Sequence, residues 1–262
     1  MKTLHLICAS ALVVLIVLGG SAATAATPAV NDIMTNMNDL QDLQVDVTVK
    51  IKMTQQKVDE GVRVVESVYY RRDRDDSFLI VMIAPESDKG NGYLRVSDNM
   101  WMYRRNTRTF QMMDRNESIG GTNAKSGDME KRKFTELYAP ALDAQGKEII
   151  TAETLGSSKI PVYRFEVTAK VKDVDYPKEK YWVRRDNFLP LKKESYSLSG
   201  TLMESSYYPK YTLIGEKYLP LQMIIVDEFE KGNKTMVEFS GIALTPIDDD
   251  VFTKAYLENL SK

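Results

Sequence analysis

The sequence predicts a mainly β (α+β) protein: one curled antiparallel sheet of about eleven strands, closed as a half-open β-barrel, with a few short helices plugging the cavity. Three observations predict it. Apolar and polar residues alternate with period two along most of the 262-residue chain. Turn residues separate the alternating runs at short intervals. Helical spacing is confined to a few short segments, too little to cover a flat sheet, so the sheet wraps around its own apolar face.

The helix TPAVNDIMTNMNDLQDL begins the fold, with Val30, Ile33, Met34, Met37 and Leu40 on one face and Asn31 or Asp32 as its cap. Val45, Val47, Val49, Ile51 and Met53 then alternate with polar residues, the clearest strand in the chain. A second strand spans 62–72. A third, 78–84, is apolar on both faces and stops before Pro85. Gly90 and Gly92 mark a turn before the strand at 93–96, and 100–105 pairs with 109–113 as a hairpin. Residues 117–142 break the pattern and read as a loop followed by one or two short helices. Strands resume at 148–155, 162–171, 178–185, 190–198, 202–208, 218–229 and 235–242. Tyr163, Phe165 and Val167 share one face of the run at 162–171. The closing segment DDDVFTKAYLENL reads as a helix capped by Asp248 or Asp249, with Val251, Phe252, Tyr256, Leu257 and Leu260 as its apolar face.

Residues 1–25 precede this domain, which is expected to span 27–262. They carry Lys2, an apolar run from Leu4 to Leu18, and small residues ending in Ala23-Thr24-Ala25. That is the layout of a cleaved secretory signal peptide. The chain has one cysteine, Cys8, and one histidine, His5, and cleavage removes both. An exported chain without them has no Ser-His-Asp triad, no Cys-His pair, no zinc site of the usual ligands and no disulfide. Removing Lys2 leaves 34 basic against 37 acidic residues, a net charge near −3, which gives no footprint for nucleic acid.

Few residues offer chemistry. Asp248-Asp249-Asp250 could bind calcium through oxygen, but acids at a helix start are ordinary capping. Asp73, Asp75 and Asp76 among Arg71, Arg72 and Arg74 fit a hairpin turn. The paired glycines at 90/92 and 120/121 lack the lysine and spacing of a phosphate loop. Asn116-Glu117-Ser118 and Asn233-Lys234-Thr235 match the glycosylation sequon. No cofactor and no metal are implied.

The densest unusual stretch is NMWMYRRNTRTFQMMD, residues 99–114, with four methionines and three aromatics among three arginines. Methionine is unbranched and polarizable, so it adapts to apolar partners of varying shape. Such side chains on a curled sheet suit a pocket for acyl chains. Strand parity assigns that pocket to Val45, Val47, Val49, Ile51, Leu79, Val81, Met100, Met102, Phe110, Met112, Tyr163, Phe165, Val167, Val237 and Phe239. A one-residue slip in the hairpin would exchange Met100 and Met102 for Trp101 and Tyr103.

The run APESDKGNGYLRVSDNMWMYRRNTRTFQMM resembles the bacterial outer-membrane lipoprotein-sorting proteins of the LolA/LolB-like superfamily. The shared pattern is a proline ending a strand (Pro85), a glycine-led strand (Gly92, Leu94) and a W-x-Y hairpin start (Trp101, Tyr103). The segment from Pro246-Ile247-Asp248 through Val251-Phe252 to Tyr256-Leu257 is similar to that family's final helix. The resemblance implies a half-open barrel closed by helices, whose apolar cavity shields the acyl chains of a lipoprotein or related lipid in the periplasm. It also implies an inner-membrane transporter and an outer-membrane acceptor as partners, with a monomer as the carrier. Arg104 is a candidate for the carriers' functional arginine, and the loop from Gly120 to Met129 for the hinge of a lid. Two other readings stand beside it. One is a periplasmic sensor or accessory module that binds lipid or protein on the same fold. The other is a hydrolase, which needs two acidic residues facing into the cavity and which an uncharged cavity excludes.

Overall fold

The alternation of Val47, Val49, Ile51 and Met53 puts four buried side chains on one face of β1 (Val47–Lys57). The computed structural model describes residues 26–114, 117–125, 134–172 and 174–260. Residues 1–25, the expected signal peptide with His5 and Cys8, lie outside them. So do Asn116 of the first sequon and residues 126–129 of the expected lid.

Antiparallel hairpins extend β1 through β2 (Gly61–Arg72), β3 (Ser77–Ala84), β4 (Gly92–Val96), β5 (Asn99–Arg104) and β6 (Thr109–Met112). Beyond residue 134 come β7 (Tyr138–Pro140), β8 (Ile150–Leu155), β9 (Ile160–Ala169), β10 (Lys178–Arg184), β11 (Pro190–Tyr196), β12 (Leu202–Ile214), β13 (Lys217–Asp227) and β14 (Lys234–Ala243). The 14 strands form one sheet, ordered β6-β5-β4-β3-β2-β1-β14-β13-β12-β11-β10-β9-β7, with β8 also on β9. β6 does not pair with β7, so the sheet is open. The sequence total of about eleven strands is too low, although the individual runs read from the sequence cover every strand but β7. Residues 138–140 are a strand rather than helix, and helix α2 is only Phe134–Leu137. β12 continues past Pro209, where the missing N–H is absorbed by register shifts between Tyr207 and Tyr211.

Three apolar clusters organise the sheet. The concave face of β1–β5, β13 and β14 forms the largest, with Val49, Ile51, Tyr69, Ile80, Tyr93, Met223 and Val237. Helix α1 (Val30–Gln41) lays Val30, Ile33, Met34 and Met37 on the concave face of β9 and β10, against Phe165, Tyr181 and Val183. The C-terminal segment covers the convex face of β3–β5, where Leu79, Val81 and Tyr103 meet Ile247, Phe252 and Leu257. This explains why β3 is apolar on both faces. No described helix is long and apolar enough to cross a membrane.

The caps differ from expectation. Ala29 occupies the N-cap of α1, and the Glu148 carboxylate accepts from the Val30 amide at 2.8 Å. Asn31 and Asp32 lie inside the helix. At the C-terminus a 3-10 turn (Asp249–Phe252) precedes α3 (Lys254–Leu260), whose Tyr256 amide donates to Thr253 Oγ1. Asp249 pairs with Arg72 at 2.5 Å, and Leu260 is largely exposed. The Arg/Asp run at 71–76 forms the β2–β3 turn, pairing Arg71 with Asp73, Arg72 with Asp75, and Arg95 with Asp76. Among the described residues no acidic group is arranged to hold a metal ion.

Candidate functional site

Register fixes which residues share the concavity. From β5 to β1 the inward rows carry Met100 and Met102, Tyr93, Ile80 and Met82, Tyr69, then Val49 and Ile51. The segment 117–125 crosses this face. Gly120 N donates to Tyr93 Oη, Thr122 Oγ1 packs on Met53 Sδ, and Asn123 N donates to Thr235 Oγ1. Lys125 Nζ then donates to Tyr176 Oη at 3.0 Å. Ile119 and Ala124 are fully buried in the apolar cluster. Gly120 and Gly121 both adopt left-handed φ, and a Cβ at Gly120 would sit 3.1 Å from Met82 and Val65. The described part of the expected lid, residues 120–125, is thus docked against the sheet.

A cavity of about 370 Å³ lies on one side of this segment, within the range of small-molecule sites. Met82, Tyr93, Met102 and Met113 form its floor; Arg63, Asp88, Arg104 and Glu117 stand at its rim. Arg63 donates to Asp88 across that rim.

The structure divides the residues assigned from parity. Val47, Val49, Ile51, Met100 and Val237 are buried in the concave cluster, with Met102 and Phe239 packed on it. Tyr163, Phe165 and Val167 share the concave face but lie under α1 and α2. Leu79, Val81, Trp101, Tyr103 and Phe110 lie on the convex face under the C-terminal segment. Phe110 and Met112 go outward because they pair with Tyr103 and Trp101, and Met112 is 62% exposed. Met113, whose amide donates to Met100, turns inward in their place. Val45 precedes β1 and is exposed, while Asp46 beside it is buried and accepts from the Ile247 amide and Arg74.

The other half of the concavity is polar and charged, so the apolar cavity that the resemblance implies holds for one half only, and the uncharged cavity that would exclude a hydrolase is not what the structure has. One cross-strand row runs Glu179, Ser195, Glu204, Asp227 over β10–β13. The adjacent inward row holds Tyr181, Lys193 and Ser206. Tyr181 Oη donates to Glu179 at 2.6 Å, and Lys193 Nζ lies 3.6 Å from the same carboxyl. Burial alone would lower the Lys193 pKa, but Glu179, Tyr208, Tyr181 and Glu204 hold it well above the ordinary lysine value, so it stays charged. Burial, reinforced by Glu179, keeps the Tyr181 hydroxyl protonated. A second cavity of about 270 Å³ opens here, lined in part by Lys125, Tyr176, Glu204, Asp227 and Glu230.

Sequence reasoning missed this polar half. The signal was available in β11: PLKKESY offers no apolar alternation, yet none of its residues is fully exposed.

A family model described as that of an uncharacterised protein matches residues 74–259. The chain belongs to this family. No curated protein matches the sequence. Among solved structures, a LolA superfamily protein from Nitrosomonas europaea is 21% identical, with a TM-score of 0.71 over 88% of this chain and 100% of its own. A domain named for outer membrane lipoprotein sorting from Vibrio parahaemolyticus is 16% identical, with a TM-score of 0.75 over 87% and 97%. A DUF1329 family protein from Desulfovibrio piger is 20% identical, with a TM-score of 0.74 over the same shares. The family member described here therefore has the LolA-superfamily fold.

Proposed function

We propose that the protein is a periplasmic carrier that takes the acyl chains of a lipoprotein or related lipid into the concavity of its sheet and delivers them toward the outer membrane. The observation that carries this reading is the open concave face of β1–β5, with a cavity of about 370 Å³ floored by methionines and a tyrosine. The likeness in fold to a lipoprotein-sorting domain supports it.

The physics follows from solvation. An exposed acyl chain costs about 0.8 kcal/mol per CH₂, so a chain leaves a membrane only for a comparably apolar site. Release requires the acceptor to be slightly better. Methionine floors tolerate chains of different shape. The cavity is near the lower end of small-molecule sites, so a second or third chain enters only when the segment 117–125 lifts from Tyr93, Met53 and Thr235.

The test is native mass spectrometry, with organic extraction, of protein purified gently from its own periplasm. A bound acylated lipoprotein supports the sorting role. Free lipid moves the function to lipid transport. A protein that stays empty after incubation with lipoprotein in detergent defeats the carrier reading and favours the sensor module. Cross-linking 117–125 to the sheet is expected to abolish loading of a cargo with two or three chains; undiminished loading of such a cargo defeats the lifting step.

A further inference from the structure

The cavity floored by methionines is not apolar to its edge. In the pairing of β4 with β5, Tyr93 lies opposite Met102. Two residues along each chain, past the Gly92–Tyr103 pair, Asn91 and Arg104 return to the same concave side. Tyr93, Asn91 and Arg104 are thus three corners of one cross-strand square, with Met102 at the fourth, and all four line the cavity of about 370 Å³.

Each of the three polar corners is a donor without an acceptor. Tyr93 is 2% exposed; its hydroxyl accepts from the Gly120 amide, and its own proton meets no acceptor among the described residues. Burial raises the pKa of that hydroxyl, so the proton stays on at neutral pH. The Asn91 oxygen accepts from the Arg105 amide at 2.9 Å, which fixes the side-chain amide and leaves Nδ2 as a donor. Arg104 forms no ion pair with any described carboxylate. By contrast Arg63, Arg71, Arg72, Arg74 and Arg95, on the neighbouring strands and turn, each pair with one. The two carboxylates at the rim are engaged elsewhere: Asp88 accepts from Arg63, and the exposed Glu117 from the Asp114 amide.

Buried donors are normally satisfied, and a guanidinium is shaped to hold two oxygens of one group. A group that answers all three donors accepts only and carries negative charge. We propose that the mouth of this cavity binds the oxyanion of an amphiphile, a carboxylate or a phosphate, held by Arg104 with Tyr93 and Asn91 while the chain lies over Met82, Met102 and Met113. This rests on the carrier reading and adds to it a requirement on the polar end of the cargo.

The test follows heat as dodecanoate, dodecyl phosphate, dodecanol and inorganic phosphate are each titrated into the protein stripped of lipid, below micelle-forming concentrations. The better of the two dodecyl anions is expected to bind about tenfold tighter than dodecanol, the gain of one charge-assisted hydrogen-bonded contact. Which anion is preferred identifies the head group. Arg104→Gln, at an exposed position, is expected to erase the preference, and Tyr93→Phe to reduce it. Arg108→Gln makes the same charge change on the β5–β6 turn, outside the cavity lining, and is expected to keep it. Equal binding of anions and alcohol by the wild type overturns the oxyanion site and leaves the carrier reading standing. So does a preference that survives Arg104→Gln, or one that Arg108→Gln erases equally. Inorganic phosphate binding that Arg104→Gln abolishes, with no dodecyl ligand bound, overturns the amphiphile and defeats the carrier reading. Binding of none of the four overturns both.

Discussion

Tyr93 and Met102 on one side of segment 117–125, and Glu204 and Asp227 on the other, face into the same concavity of the same sheet. The first side is filled by side chains that interchange freely: methionines, valines and isoleucines whose contacts are non-directional. The second is held by directed pairs, in which Tyr181, Glu179, Lys193 and Ser206 each have a set partner. The difference teaches that one curved sheet can combine a forgiving surface with a discriminating one. The two sides should respond to substitution in different ways.

The largest effect is expected where packing is tightest in the discriminating half. Phe165 is 0% exposed and stacks on Tyr181 with ring centroids 5.5 Å apart. Phe165→Ala should cost about 3–5 kcal/mol in urea denaturation. Lys193→Met should cost about 3 kcal/mol, because it leaves the Glu179 carboxylate buried without its cation; adding Glu179→Gln should recover most of the loss. Non-recovery in the double variant would mean that Lys193 acts through packing alone.

Gly120→Ala is expected to cost about 1–2 kcal/mol for the left-handed conformation, more if Met82 and Val65 do not yield. It should also raise the rate of proteolytic cutting within 117–125. The β2–β3 turn, away from both cavities, supplies a control in acid. Burial pushes the Asp75 carboxyl up, but the hydrogen bond and charge of Arg72 outweigh it and hold the pKa below the ordinary value. Its contribution is therefore present above about pH 4 and lost as pH falls through the depressed value, and it is below about 1 kcal/mol because Asp75 is solvated. Arg72→Ala should flatten that part of the acid-unfolding curve. A similarly small stability effect is expected on the forgiving side. Met102→Leu should cost less than about 1.5 kcal/mol, yet it should narrow the range of chain lengths the protein accepts.

The sequence exposed the forgiving side because hydrophobic alternation is a signal of period two, and β1 carries it without interruption from Val47 to Met53. The hairpin at 99–112 was legible for the same reason, down to the shared face of Met100 and Met102. Phe110 and Met112 were not, because their face depends on how β6 registers against β5, which the turn sets and composition does not. Polar side chains facing inward were hidden more deeply. Glu179, Lys193, Ser195 and Glu204 read as the wet face of their strands, and only the pairing of three strands brings them together. β7 escaped notice because three residues carry no periodicity.

Ile119 has a consequence for how any affinity measured on this protein is to be understood. Its side chain is fully buried against the concave apolar cluster, so part of that surface is occupied by the chain's own residue. On the proposed carrier reading, loading is then an exchange: an incoming methylene must displace a resident one, and the measured constant reports the difference between the two. If the displaced form is only a small fraction of the molecules, the apparent dissociation constant is the intrinsic one divided by that fraction. A partner that merely held residues 117–125 away from the sheet would strengthen binding without touching the cargo, and one that let them return would eject it.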